Sequence, residues 1–407
     1  MNRKRPAHFL HALSLMAALT LSNYAFAATQ NAAGPAAADA TAALPSLDPK
    51  TGAGSAIAPM ANADASQMLT AAGLREAPVA QRDTPGWHPP RVIVARGVRP
   101  DMVPWLQGLV PGARVTAVAS SEEALKIIGD ADVLLGFCEQ PLIAAGKNLR
   151  WVQSFAAGVE NCVGAPSIQS GKVLLTNTQR VSGPVISEYV VGILLTLARG
   201  LPQFMANQRD ARWDQNFAVQ GNTRSMRGKT LLVVGLGGIG TEVARLANAL
   251  GMKVIATRNT SREAPTFVSY VGLSDELPAL ARQADAIVNT TPLTAATTGM
   301  FNATFFNLLK RSAYFVNVGR GASVVTADLD AALRNGIIAG AAIDVTEPEP
   351  LPADNPLWHA PNLIITPHVS AVADTGILPG AAVVEENLRR YVRGDRMFSV
   401  VQPGRGY

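Results

Sequence analysis

From Arg91 onward, short apolar runs alternate with polar, helix-competent stretches. The first series reads "RVIVARG" (91–97), "ARVTAVAS" (113–120), "DVLLGF" (132–137), "LRWVQSF" (149–155) and "KVLLTN" (172–177), with segments such as "SEEALKIIG" between them. Runs rich in β-branched residues and separated by helical segments predict parallel strands joined by crossovers, because parallel neighbours cannot be linked by a tight turn. An apolar helix is then predicted over 184–207; Glu188, Arg199 and Gln203 within it argue for a buried or domain-crossing helix rather than a membrane span. A second series follows: "KTLLVVGLGGIG", "MKVIATR", "DAIVNTT", "AYFVNVG", "AGAAIDV" and "NLIITPH". The pattern predicts an α/β chain with two doubly wound parallel sheets.

The first 90 residues break this rhythm. Residues 1–27 carry Arg3, Lys4 and Arg5, an apolar run through 9–22 and Ala25-Phe26-Ala27 before Ala28. That layout predicts a signal peptide cleaved near Ala27-Ala28 and export to the periplasm, the alternatives being an organelle transit peptide, an uncleaved anchor or a cytoplasmic protein. The apolar run is short for a membrane span, so none is expected after cleavage. Residues 28–66 are rich in Ala, Pro, Gly and Asp and read as a tether. Within 67–90, "QMLTAAGLRE" could form a short docked helix before "TPGWHPP".

Composition narrows the classes. With 48% apolar and 16% charged residues, the chain is globular with a large buried fraction. Three of the five net positive charges are Arg3, Lys4 and Arg5, and no basic cluster occurs elsewhere, which argues against nucleic acid. Cys138 and Cys162 are the only cysteines and form no CxxC pair, so no metal site is expected. They are read as ordinary small residues, with their pairing left open, since adjacent strands alone do not establish disulfide geometry.

Gly235-x-Gly237-x-x-Gly240 follows an apolar strand and opens the helix "GIGTEVARLANALG". The first glycine permits the turn, the second lets a pyrophosphate approach, and the third allows close helix–strand packing. Gly238 and Ile239 lie in the same turn, where backbone N–H groups and helix polarity favour phosphate. Strand, loop, helix and second strand occur in the order expected of a dinucleotide site. At the end of that second strand, 18 residues after Gly240, stands Arg258 rather than an acid. An acid would bind the adenosine ribose hydroxyl and repel an added phosphate; an arginine fork pairs with that phosphate. Asn259, Thr260, Ser261 and Arg262 add donors. NADP(H) is therefore the expected cofactor, with NAD(H) as the other possibility.

Polar residues gather where the later strands end. "AYFVNVGRGA" supplies Arg320, "GAAIDVTEPEP" supplies Asp344, Glu347 and Glu349, and "NLIITPHVSA" supplies His368. Beyond the leader, His88 and His359 lie in loops, and only His368 follows a buried strand. A protonated histidine can deliver the proton when hydride reduces a ketone, and a carboxylate beside it raises its pKa. An arginine can hold a substrate carboxylate. Arg320, Glu349 and His368 match these roles.

Taken in order, "VVGLGGIG", "TTPLTAATTGMF", "FVNVGRGA", "AAIDVTEPEPL" and "ITPHVSA" resemble the D-isomer-specific 2-hydroxyacid dehydrogenase family over roughly residues 91–407. The closing "GRGY" is similar to its glyoxylate/hydroxypyruvate reductases. The resemblance implies a Rossmann cofactor domain (196–368) inserted in a flavodoxin-like substrate domain (91–195 plus 369–407). It places the catalytic arginine on Arg320, the carboxylate on Glu349 and the proton-donating histidine on His368. Asp344 matches a residue that meets the nicotinamide carboxamide, and Thr291 and Pro292 match the turn lining the adenosine side. "SFAAGVE" matches a substrate loop, pointing to the N–H groups of Ala157 and Gly158. Glu349 departs from formate-dehydrogenase-like relatives, which pair the histidine with glutamine. The implied activity is reduction of a small 2-keto acid of the glyoxylate or hydroxypyruvate type by a homodimer. The rival is an exported nucleotide-binding sensor of the same fold without significant catalysis.

Overall fold

The computed structural model describes residues 67, 69–70, 73–98, 103–373 and 377–403. The leader and tether assigned to residues 1–66 lie outside the described residues. The first apolar series forms β1 (Val92–Arg96), β2 (Arg114–Val118), β3 (Val133–Leu135), β4 (Trp151–Gln153) and β5 (Leu174–Thr176). They make a five-stranded parallel sheet in the order β2-β1-β3-β4-β5. The second series forms β6 (Thr230–Val234), β7 (Lys253–Thr257), β8 (Tyr270–Gly272), β9 (Ala286–Asn289), β10 (Tyr314–Asn317), β11 (Gly340–Ile343) and β12 (Leu363–Ile365). These pair in parallel as β12-β11-β10-β9-β6-β7-β8. Both orders are doubly wound, so each sheet has a switch point where neighbouring crossovers leave in opposite directions and a crevice opens at the carboxyl ends of the strands.

Alternation along the strands feeds two cores per sheet. Leu231, Val233, Val254, Ala256 and Val288 pack on one face of the larger sheet, while Leu232, Val234, Ile255 and Ile287 pack on the other. Burial on both faces is why these strands read as continuous apolar runs. The tail returns to the smaller sheet. In the helix Ile377–Arg393, Ala381, Val384, Leu388 and Tyr391 join the core of Ile93, Val133 and Trp151, and Tyr391 stacks on Trp151 at 4.7 Å.

One local expectation changes, and two readings left open take a definite form. The helix predicted over 184–207 is two helices, Gly183–Ala198 and Leu201–Arg209, meeting at 67°. Gly200 takes φ +63°, a left-handed conformation that ends a helix, and the Phe217 ring fills the space a Cβ there would need. Ile186, Val190 and Leu194 of the first helix pack into the larger sheet's core, and the boundary placed at 195/196 falls inside this helix. Cys138 and Cys162, small residues whose pairing the sequence left open, form a disulfide with their Cα atoms 4.7 Å apart. The loops after β3 and β4 bring them together, an approach no strand pattern encodes. Among residues 67–90, Gln67, Leu69 and Thr70 are helical. Buried Leu69 and Leu74 pack with Val181, Val383 and Phe398, and Glu76 bridges antiparallel to Phe398.

Candidate active site

The glycine loop has the shape the sequence requires. Gly235 takes φ +94°, and Gly237 donates its N–H to the Gly235 carbonyl at 2.8 Å. A Cβ on Gly240 would lie 2.3 Å from that same carbonyl oxygen, so only glycine lets the helix Gly238–Ala249 press against β6. A Cβ on Gly237 would meet nothing within 4 Å, which leaves an open face for a ligand backbone. Gly238, Ile239 and Gly240 stand in the first turn, where N–H groups lack intrahelical acceptors. Thr291, followed by Pro292, packs on Gly235 and is anchored to Asn289 by its hydroxyl at 2.7 Å.

At the end of β7, Arg258 is partly buried, and its Nε has no hydrogen-bond partner. An orphaned guanidinium nitrogen beside a glycine loop fits a phosphate-bearing dinucleotide. Asn259 and Thr260 are exposed next to it. Arg262 is different: it pairs with Glu276 at 2.6 Å and donates to Tyr270 and the Val271 carbonyl. The structure therefore commits its fork to the chain's own acceptors, which the sequence could not show because Glu276 is 14 residues away.

The polar residues after β10, β11 and β12 converge. Asn317 ends β10; its amide donates to the Arg320 carbonyl at 3.0 Å, and its oxygen accepts from Gly319. Arg320 Nε donates to Glu160 at 2.8 Å, and Nη1 donates to the Gly319 carbonyl. Its Nη2 lies over Gly158 so closely that a Cβ there would come within 2.0 Å. Glu349 accepts from the Thr346 N–H through one oxygen and meets His368 Nδ1 at 3.0 Å through the other. His368 sits at φ +55°, held by its N–H to the Asp344 carbonyl at 2.7 Å. The carboxylate in this contact is that of Glu349, not Glu347.

The electrostatics follow. The hydrogen bond to Glu349 raises the His368 pKa above the usual histidine value; burial opposes it, the charges of Glu349 and Asp344 assist it, and Arg320 pulls the other way. Burial alone would raise Glu349, but hydrogen bonds from His368 and Thr346, with the nearby positive charges, carry it below the carboxylate value. Asp344 is buried and accepts from Thr366, Val369 and Ser370. Its carboxylate is thus an anchor for the turn that carries His368, with little acceptor capacity left over.

Across from this trio lies a cavity of about 130 Å³ lined by Arg96, Gly136, Cys138, Phe155, Gly158 and Glu160. Asn177 donates to the Ala157 carbonyl at 2.6 Å, fixing the substrate loop. Among the described residues, the N–H groups of Ala157 and Gly158 donate to nothing in the chain. Two residues here escaped the sequence reading. Glu160 holds Arg320, although it closes the quoted motif "SFAAGVE". Arg96 pairs with Glu139 at 2.6 Å, donates to the Gly136 carbonyl and covers the Phe137 ring. Its position at the end of β1 was the available signal.

A family model described as the NAD binding domain of D-isomer-specific 2-hydroxyacid dehydrogenases matches residues 191–370. The glyoxylate/hydroxypyruvate reductase A of Escherichia fergusonii is 30% identical over 268 residues, covering 65% of this chain and 83% of that protein. A family protein from Aeromonas salmonicida is 34% identical with a TM-score of 0.66, covering 77% of this chain and 99% of its own. The NADPH-dependent glyoxylate/hydroxypyruvate reductase from Sinorhizobium meliloti, solved with NADP and sulfate, is 29% identical with a TM-score of 0.67; the match covers 78% of this chain and 99% of that one.

Proposed function

Because the chain belongs to the D-isomer-specific 2-hydroxyacid dehydrogenase family and is an NAD(P)-dependent enzyme acting on CH–OH, we propose that it is an NADP(H)-preferring reductase of a small 2-keto acid, glyoxylate or hydroxypyruvate. One observation carries the cofactor preference: Arg258, with its unpartnered Nε, stands where an acid would select NAD(H). The small cavity, with uncommitted N–H groups on Ala157 and Gly158, favours an acid of two or three carbons. The reductase of Sinorhizobium meliloti, whose structure holds NADP, supports the same reading.

When bound, the nicotinamide cofactor supplies or accepts the hydride. The chain does the rest. Arg320 and the Ala157–Gly158 backbone hold the substrate carboxylate and fix the orientation of the adjacent carbonyl. His368, kept protonated by Glu349, places its remaining ring N–H for the oxygen that gains negative charge and gives up that proton as the alkoxide forms. In the oxidative direction the neutral ring takes the proton back. Glu349 stays ionised throughout, which its lowered pKa permits.

The test is oxidation of NADPH and of NADH by purified residues 28–407 with glyoxylate, hydroxypyruvate and pyruvate, beside Arg258→Asp. Faster NADPH turnover that the substitution reverses is expected. Preference for NADH in the unmodified protein would remove Arg258 from cofactor choice, and no turnover of any of these acids would remove the proposed substrate class.

A further inference from the structure

Arg180 lies outside both sheets, four residues after β5, in the turn that leads to the helix Gly183–Ala198. Its backbone takes φ +70°, a left-handed conformation that side-chain-bearing residues rarely adopt and that tends to persist at ligand sites. The side chain then crosses to the cofactor half. Its Cγ lies 2.8 Å from where a Cβ on Gly238 would stand, so glycine at 238 is what lets the arginine lie on the first turn of the dinucleotide helix. Nη1 continues toward Gly73, beside Arg75. Arg75 belongs to the N-terminal segment, which is held in place by Ser399 donating to the Arg75 carbonyl and by Glu76 pairing with Arg390.

Arg75, Arg180 and Arg258 form one electropositive group. Crowding by the protein and the charges of the other two hold the Arg180 guanidinium below the usual arginine value. Among the described residues, no carboxylate pairs with any of the three. Arg75 and Arg180 are exposed, and the Nε of Arg258 is buried without a partner. Like charges gathered beside a phosphate-binding turn, at the cost of an unfavourable backbone angle, call for an anion.

We propose that Arg180, supported by Arg75, is a second phosphate clamp on the dinucleotide, acting on the pyrophosphate side through its seat on Gly238, while Arg258 serves the adenosine side. The inference rests on the dinucleotide-binding reading of the glycine loop. It gives the docked N-terminal segment a task in cofactor binding, and it ties the turn between the two halves to cofactor occupancy.

Calorimetric titration of NADP⁺ and of NAD⁺ into wild type, Arg180→Gly, Arg180→Lys and Arg258→Asp tests this, with the melting temperature of each ligand-free protein measured alongside. Glycine accepts φ +70° and removes a repelled charge, so Arg180→Gly should melt no lower than wild type yet bind both nucleotides about tenfold more weakly. Arg180→Lys should retain most of the affinity, and Arg258→Asp should lose NADP⁺ selectively. Added salt should weaken wild type more than Arg180→Gly. Affinities of Arg180→Gly within about twofold of wild type would overturn the clamp; so would weaker binding matched by a lower melting temperature and not rescued by lysine. Wild type binding neither nucleotide would instead overturn the dinucleotide reading itself.

Discussion

The seven-stranded half builds its ligand surface from backbone: Gly235 turns the chain, Gly237 leaves space, Gly240 admits the helix, and first-turn N–H groups are left over. The five-stranded half adds side chains and one crosslink, brought from separate loops, to the backbone N–H groups of Ala157 and Gly158. Arg96 arrives from β1, Cys138 from the loop after β3, and Glu160 with Cys162 from the loop after β4. Backbone-borne function must be written locally, as glycines at fixed spacing. Side-chain-borne function is free to use any loop that ends at the same crevice. The trio Arg320–Glu349–His368 stands between these cases, since each member closely follows its own strand while Arg320 is held by Glu160 of the other half.

The largest separation between the halves should come from His368→Asn. Asparagine keeps a polar side chain at a left-handed position it tolerates, so the fold should survive. Turnover of the keto acid should fall by about 10² to 10⁴, as expected for loss of a general acid, while NADP⁺ binding measured by calorimetry stays close to wild type. A parallel loss of nucleotide affinity would show that the histidine serves the cofactor surface as well, and the division of labour would fail.

A smaller effect is expected from Glu349→Gln. Glu349 raises the His368 pKa, so the ring stays charged to higher pH than an ordinary histidine. Reduction needs the charged ring, and it is lost as pH rises through that raised value. The glutamine variant should therefore show its alkaline limb displaced to lower pH, toward about 6.5, with the plateau on the acid side reduced less. The same sign applies to stability: whatever the pair contributes is fully present between the ordinary carboxylate and ordinary histidine values, fades as pH climbs through the raised histidine value, and is lost as pH falls through the lowered carboxylate one. Both side chains are about half exposed, so solvent screens that contribution and the rate profile is the sharper readout. An unmoved limb would mean the titrating group in turnover is not His368.

The contrast between the halves also explains what could be read from residues alone. Among the described residues, eleven of the twelve strands coincide with quoted apolar runs, because parallel strands covered by helices draw their residues from apolar and β-branched types. β8 was missed: three residues at the sheet edge, beginning at exposed Tyr270, leave no periodic trace. The break at Gly200 was hidden because apolar residues flank it, and only the Phe217 ring shows why the chain bends there. The trio was legible because its members follow strand ends in a recognisable order. Glu160 on Arg320, Glu276 on Arg262 and Cys138 on Cys162 were not, since each pairing depends on how loops meet in space.

The mildest test acts on that last pairing. The disulfide closes a sequence separation of 24 residues and ties the end of the substrate loop to the wall of the cavity. Cys162→Ser should cost about 3 kcal/mol of stability, the loop-entropy scale for a crosslink of this span. It should also raise the KM for the keto acid a few-fold, because the loop carrying Ala157 and Gly158 loses its covalent tie and is then held only by hydrogen bonds, such as Asn177 to Ala157, and by the Arg320–Glu160 ion pair. NADP⁺ affinity should not move, for neither cysteine approaches the glycine loop or Arg258. Thermal melts and steady-state kinetics, with wild type treated by a dithiol as the matching control, read both quantities. If reduction weakened NADP⁺ as much as the keto acid, the two halves would not be separable, and the substrate loop would have to be counted as part of the cofactor surface.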